Sequence, residues 1–355
     1  MMKRCAMLAL LALAAPACSD DGGGDVDAAP PDAAPIPLAW ETVVDEYEPG
    51  ALFSGWAPAP DDVWAVGGEE GNSVVLHFDG TAWETMDPGM GEQLWWIHGF
   101  EGGPVYVAGD HGAIARWDGT AWEIMDSGAP GTTLFGIWGA TPDDMWAVGG
   151  PSQAPGTGVE PEGDVVLHYD GTAWQRVEIQ ALIDKPDSAG DNLFKVWGAG
   201  ADTVFIVGDG GLALHYDGAD WKQVPTPAAG QPLFTVVGRS ATDVYAVGGL
   251  GFAVLVHWDG TTWTDVPLPR SAPQAVQGVW TAPGQPVYIG GWYGFTAAMS
   301  EDGAWTVVDT RSSFAYHAVF GDGTGTMWAV GGDIYSFMDD YQGIIISTQP
   351  SVPAP

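Results

Sequence analysis

The sequence predicts an all-β fold, a seven-bladed β-propeller whose N-terminal strand closes the last blade. Three observations predict it. A phrase recurs seven times at intervals of about 40 residues, the length of one four-stranded blade. Its parts are short apolar runs separated by turn residues, and no stretch beyond the N-terminus carries a helical period. The part missing from the last copy stands at the other end of the chain.

The phrase reads most clearly from Val63 to Trp83, VWAVGG…VVLHFDGTAW. Each copy opens with a strand such as Leu134–Trp138 or Leu193–Trp197, followed by a short turn that often holds Asp, as at Pro142-Asp143-Asp144. A second strand carries Trp64, Tyr106, Trp146, Phe205, Tyr245, Tyr288 or Trp328 and runs into a glycine pair. The pairs are Gly67-Gly68, Gly149-Gly150, Gly248-Gly249, Gly290-Gly291 and Gly331-Gly332, with Gly109-Asp110 and Gly208-Asp209 in the other two copies. The offset from aromatic to pair is constant except after Tyr288, where it is one residue shorter. A third strand ends in Phe78, Trp117, Tyr169, Tyr216 or Trp258 before Asp-Gly, a tight-turn signal because glycine tolerates positive φ. The fourth strand begins at Trp83, Trp122, Trp174, Trp221, Trp263 or Trp305.

The last copy has no such Trp. Leu38–Val43, LAWETV, matches Thr81–Met86, TAWETM, so Trp40 supplies the seventh. The N-terminal strand is therefore expected outside Tyr316–Phe320, Thr326–Val330 and Ile334–Met338, which removes the free sheet edges of an open ring. The alternative gives that blade its own outer strand at Ile344–Ile346. The propeller is expected over 38–340, with 341–355 as a tail.

The glycine pair with its spaced aromatic resembles Kelch repeats. Asp-Gly before Trp resembles the turn of BNR (Asp-box) propellers, most closely at Ser300–Trp305. The resemblance spans Ala39 to about Met338 and implies a propeller in which these positions hold blades together.

Residues 1–17 read as a secretory signal: Lys3-Arg4, an apolar stretch Ala6–Ala15, then small residues. The end, Leu13–Cys18, resembles a bacterial lipoprotein cleavage site, which implies acyl chains on Cys18. Cys18 is the only cysteine left after cleavage, so it has no internal disulfide partner. Residues 18–37 form a Gly/Ala/Asp/Pro tether with nothing to pack. An exported protein anchored in the bacterial cell envelope, at the outer membrane or cell surface, is expected.

The chain carries a net −36. Without Lys3 and Arg4 it has 8 basic against 46 acidic residues, −38. Such a field repels phosphate backbones, which excludes nucleic acid as a partner, and suits solubility or cationic partners.

Recurrence supplies a test for site residues, since a residue found in every blade is first of all structural. His77, His168, His215 and His257 each precede the aromatic-Asp-Gly turn in separate blades, so they read as packed strand histidines and not as metal ligands. Of 19 Trp, 17 fall at recurring aromatic positions. The exceptions are Trp96, whose counterparts are small or polar, and Trp292, which follows a glycine pair beside Tyr293 and Phe295. Blade connectivity puts both toward one face. There they form a stacking platform, or Trp96 plugs the channel and Trp292 packs on a neighbouring blade. The insertions Pro151–Gly163 and Glu178–Asn192 emerge on the same face, as do Asp110, His111 and Asp209, which lack the oxygen-ligand spacing of a known cation loop.

Catalytic motifs are missing. Arg116, Arg176, Arg239, Arg270 and Arg311 are scattered over the units, which does not make the arginine cluster that resemblance to sialidases would require. A glycosidase requires two facing acids that break the repeat, and no such pair stands out among the plentiful acids; no cofactor or metal is expected. The sequence favours a monomeric anchored scaffold that binds a protein or glycan through the insertion-bearing face. An Asp-box glycoside hydrolase and a purely structural envelope lipoprotein remain as alternatives.

Overall fold

The computed structural model describes residues 38–69, 71–151, 163–185, 190–228, 230–333, 342–349 and 352–354. Cys18, the tether, most of the Pro151–Gly163 insertion and Ile334–Met338 lie outside the described residues. The described chain forms seven antiparallel four-stranded sheets. Six are simple meanders from inner to outer strand, and successive inner strands pack side by side around the ring. The seventh joins Ala315–Gly321, Met327–Gly332 and Gly343–Ser347 to the N-terminal strand Glu41–Tyr47, which pairs with Gly343–Ser347. Ring closure by the N-terminal strand is thus as expected.

The third strand of that blade is a correction. It is Gly343–Ser347, neither the expected Ile334–Met338 nor an outer strand at Ile344–Ile346, and it carries the propeller beyond residue 340. The isoleucine triplet is a continuous apolar run buried on both sides, which suits a strand with two neighbours. Glu41–Tyr47 is mostly exposed, which suits the outer position.

Packing explains the repeat letter by letter. In every blade one glycine faces the inner strand across the sheet: Leu52↔Gly67, Leu94↔Gly109, Leu134↔Gly149, Leu193↔Gly208, Leu233↔Gly248, Val276↔Gly291 and Tyr316↔Gly331. A Cβ on Gly331 would come within 1.8 Å of the Ala315 carbonyl oxygen, and one on Gly248 within 1.9 Å of that of Pro232. In blade six the equivalent residue is the second glycine of the pair, three residues after Tyr288 as in every other copy. That accounts for the short offset.

The two recurring aromatics join neighbouring blades. Trp83 of blade one packs edge-on against Trp328 of blade seven, Trp221 of blade four against Trp146 of blade three, and Trp263 of blade five against Phe205 of blade four. The apolar clusters accordingly lie between sheets. One holds Leu76 and Phe78 of blade one with Trp328, Val330 and Ile345 of blade seven.

The strand histidines are structural. His77, His168 and His257 lie against Trp64, Trp146 and Tyr245, with ring centroids 4.0, 4.2 and 4.5 Å apart. Each also meets an aspartate two residues before that aromatic: Asp62 at 2.8 Å, Asp144 at 2.7 Å and Asp243 at 2.9 Å. His215 stacks on Phe205, but Thr203 stands where the aspartate would be. The Asp-Gly aspartates cap their own turns. Asp79, for example, accepts the Thr81 and Ala82 amides at 2.8 and 2.9 Å.

Candidate functional site

The inner strand of every blade slips register near its start against its neighbour. The slip falls between Leu52 and Ser54, Leu94 and Trp96, Leu134 and Gly136, Leu193 and Lys195, Leu233 and Thr235, Val276 and Gly278, and Tyr316 and Ala318. A bulged residue leaves the ladder and its side chain is re-aimed. The seven residues skipped are Phe53, Trp95, Phe135, Phe194, Phe234, Gln277 and His317. All seven line one cavity of 340 Å³, joined by Gln93, Lys195 and Leu250. Inner strands ring the axis, so one bulge per blade brings seven side chains together at the channel mouth.

The aromatic members form a chain around the wall. Ring centroids are 4.4 Å apart for Phe53–Trp95, 5.1 Å for Trp95–Phe135, 5.5 Å for Phe135–Phe194 and 5.2 Å for Phe194–Phe234. Trp95 is fixed by Asp110, whose Oδ1 accepts from Trp95 Nε1 at 3.0 Å and from Thr133 Oγ1 at 2.7 Å. Burial pushes the Asp110 carboxyl above its usual range, against those hydrogen bonds.

Three bulge carbonyls accept from side chains of adjoining blades. Thr235 Oγ1 donates to Gln277 O at 2.6 Å, Lys195 Nζ to Phe135 O at 2.7 Å, and His317 Nδ1 lies 2.6 Å from Phe53 O. Lys195 is 3% exposed and its Nζ sits 3.3 Å over the Trp96 ring. Burial drives this amine well below the ordinary lysine range. His317 is held down to about 3, by burial first and then by the nearby Lys195.

The far end of the channel holds a second cavity of 220 Å³, with Trp56, Trp138, Trp197 and Trp280 among its walls. These side chains wedge over glycines of the next blade. A Cβ on Gly198 would meet Trp138 at 2.4 Å, and one on Gly238 would meet Trp197 at 2.7 Å. His98 takes the wedge position in blade two. It is open only to the channel and protein surrounds it, so burial lowers it to about 4.

These two histidines set an acid-sensitivity window. Below pH 6.5 the unfolded chain takes up protons that folded His98 refuses until about pH 4 and folded His317 until about pH 3. Stability therefore falls with falling pH, by up to about 1.4 kcal/mol per pH unit per histidine. Thermal melts should show the midpoint dropping from pH 6.5 to 4, with His98→Phe flattening that limb. A wild-type midpoint that is constant over this range would contradict the assignment. Asp-Gly carboxylates such as Asp79 and Asp259, held low by their hydrogen bonds, act in a separate and more acidic window.

The residues singled out from the sequence separate. Trp96 lies in the channel beneath Lys195, where it lines the inner cavity. Phe295 is core, 6% exposed. Trp292 is half-buried beside Tyr293, whose ring is 6.1 Å away. Tyr293 is 68% exposed at φ +59. Two further exposed residues, Leu250 and Phe252, stand on the equivalent connection of blade five, and Leu250 reaches the cavity rim. Asp110, His111 and Asp209 do not converge. Asp110 serves Trp95 in blade two, His111 Nδ1 meets Glu92 at 2.6 Å, and Asp209 in blade four binds the Asn192 amide and side chain. Among the described residues no group of three or more His, Cys, Asp or Glu could hold a metal ion.

The ring residues escaped the sequence reading because they recur. The signal was there in Leu52-Phe53, Leu94-Trp95, Leu134-Phe135, Leu193-Phe194 and Leu233-Phe234, a dipeptide that turns polar only at Gln277 and His317. Recurring outer positions stay a ring apart, whereas recurring inner positions converge on the axis. Chemically, the cavity offers aromatic surface, a few hydrogen-bonding groups and, among the described residues, no carboxylate in its lining.

No family model matches the chain, and no curated protein does. Solved structures similar in fold include YCF48 bound to D1 peptide, with TM-score 0.61, 14% identity, and 88% of this chain and 98% of that one covered. The WD40 β-propeller domain of Doa1 aligns with TM-score 0.63 at 10% identity, covering 87% and 96%. Virginiamycin B lyase from Staphylococcus aureus aligns with TM-score 0.63 at 11% identity, covering 86% and 99%. At such identities the likeness is one of fold.

Proposed function

We propose that the protein is a lipid-anchored scaffold that binds a protein partner in the bacterial cell envelope through the channel-mouth vestibule. The observation that carries this reading is the convergence of seven bulge side chains on a 340 Å³ cavity lined also by exposed Leu250, with exposed Phe252 and Tyr293 on the blade connections of the same face. Aromatic pockets with an apolar rim are the usual seat of binding hot spots. A sugar would need more hydrogen-bonding groups than Gln93, Gln277, His317 and Lys195 provide, so an apolar protein segment suits the walls better. The YCF48 structure bound to D1 peptide is a propeller of similar fold holding a peptide, which is consistent with this use of the scaffold.

Replacing Leu250, Phe252 and Tyr293 together by Ser should reduce capture of the partner from envelope extract at least tenfold. The melting temperature should barely move, because the three side chains are 55, 53 and 68% exposed. Undiminished capture by this variant would remove the face from consideration. The anchor is tested separately. Cys18→Ser should move the protein from the membrane to the soluble fraction, and continued membrane association would end the lipid-anchor reading.

A further inference from the structure

The vestibule breaks its own symmetry in two adjacent blades. Five of the seven bulge positions are aromatic, and the other two are Gln277 in blade six and His317 in blade seven. The cavity is therefore an aromatic cup with one polar sector.

The polar sector has a defined hydrogen-bond sense. His317 Nδ1 lies 2.6 Å from the carbonyl oxygen of Phe53. A carbonyl can only accept, so Nδ1 carries the proton and Nε2 is the acceptor, on a residue that lines the cavity. Burial keeps the ring neutral, so the acceptor persists at physiological pH. Lys195 is the only lysine or arginine lining the cavity among the described residues. No carboxylate lines the cavity among the described residues, so nothing there attracts a cationic occupant, although the chain as a whole carries −36. A volume of 340 Å³ lies at the low end of the range for small-molecule sites, about 300–1,000 Å³, and suits one ring better than an extended chain. The wall rings are tilted by 39 to 76° to one another, offering both faces and edges to such a ring.

We propose that the vestibule recognises a single neutral aromatic ring bearing a hydrogen-bond donor, a phenol or an indole, with the donor on His317 Nε2 and the ring among Trp95, Phe135, Phe194 and Phe234. This deepens the scaffold reading and rests on the vestibule being the ligand site. It states which chemical group the site takes. The group comes from a Tyr or Trp side chain of the partner or from a free phenolic or indolic molecule.

The test titrates the detergent-solubilised full chain with p-cresol, 3-methylindole and toluene, followed by calorimetry. The donor-bearing rings should bind about tenfold more tightly than toluene, near the upper end of what one neutral hydrogen bond contributes. His317→Phe should bring the three to parity while toluene still binds. If that variant does not fold, the His317 Nε2 nitrogen resonance of the wild-type protein serves instead. It should shift with p-cresol and stay in place with toluene. Parity in the wild-type protein, or no binding of any of the three, overturns the proposal. N-acetyltyrosinamide separates the sources: binding like p-cresol indicates a side chain, and p-cresol alone indicates a free small molecule. Loss of partner capture in the rim variant together with parity here would leave the scaffold standing and this inference fallen. Tenfold discrimination with undiminished capture would mean the reverse.

Discussion

Trp328→Ala should destabilise the protein by about 3–5 kcal/mol and lower its melting temperature by on the order of 10 °C. Trp328 is completely buried on the second strand of blade seven. It packs in one cluster with Leu76 and Phe78 of blade one, and Trp83 meets it edge-on at 6.1 Å. The truncation therefore opens a cavity where the two ends of the chain are stitched together. Blade seven alone holds strands from both termini, and Val43 of its N-terminal strand joins the same cluster. The equivalent loss at Trp305, which is only half-buried on an outer strand, should be much smaller. A cost under about 1 kcal/mol for Trp328→Ala would mean that the seam does not hold the ring.

Phe135→Ala with Phe194→Ala should abolish partner binding, by at least a hundredfold, while the propeller still folds. Both side chains are partly exposed to the cavity, their rings 5.5 Å apart, and neither belongs to a cluster between blades. Their truncation should cost less than the about 3–5 kcal/mol of a fully buried Phe. The variant would remove two of the five aromatic bulge side chains, those opposite the polar sector, and leave the glycines, Trp wedges and Asp-Gly turns untouched. Retained binding would place the ligand elsewhere on the face.

The fold was legible because its rules are local. Asp79-Gly80 fixes a turn, Gly67 permits close approach of two strands, and Trp83 finds its neighbour in the adjoining blade. The match of LAWETV to TAWETM announced ring closure for the same reason. The third strand of blade seven was misplaced because Ile334–Met338 follows the glycine pair at the usual distance, whereas burial on both sides selects the isoleucine triplet. The candidate site was only half legible. Loop residues such as Tyr293 could be assigned to a face from connectivity alone. The vestibule could not, because a β-bulge is a register event: whether Phe135 points along the sheet or into the channel depends on one slipped pairing between Leu134 and Gly136. Trp96 was noticed for breaking the pattern, while its neighbour Trp95, which conforms to it, is the one in the cup.

The most direct test of the vestibule as the ligand site is a partner-capture measurement on the Phe135→Ala/Phe194→Ala protein beside wild type, both shown folded by their melting curves. The seven-bulge arrangement predicts capture by wild type and loss of it in the variant. Equal capture by the two folded proteins would contradict it.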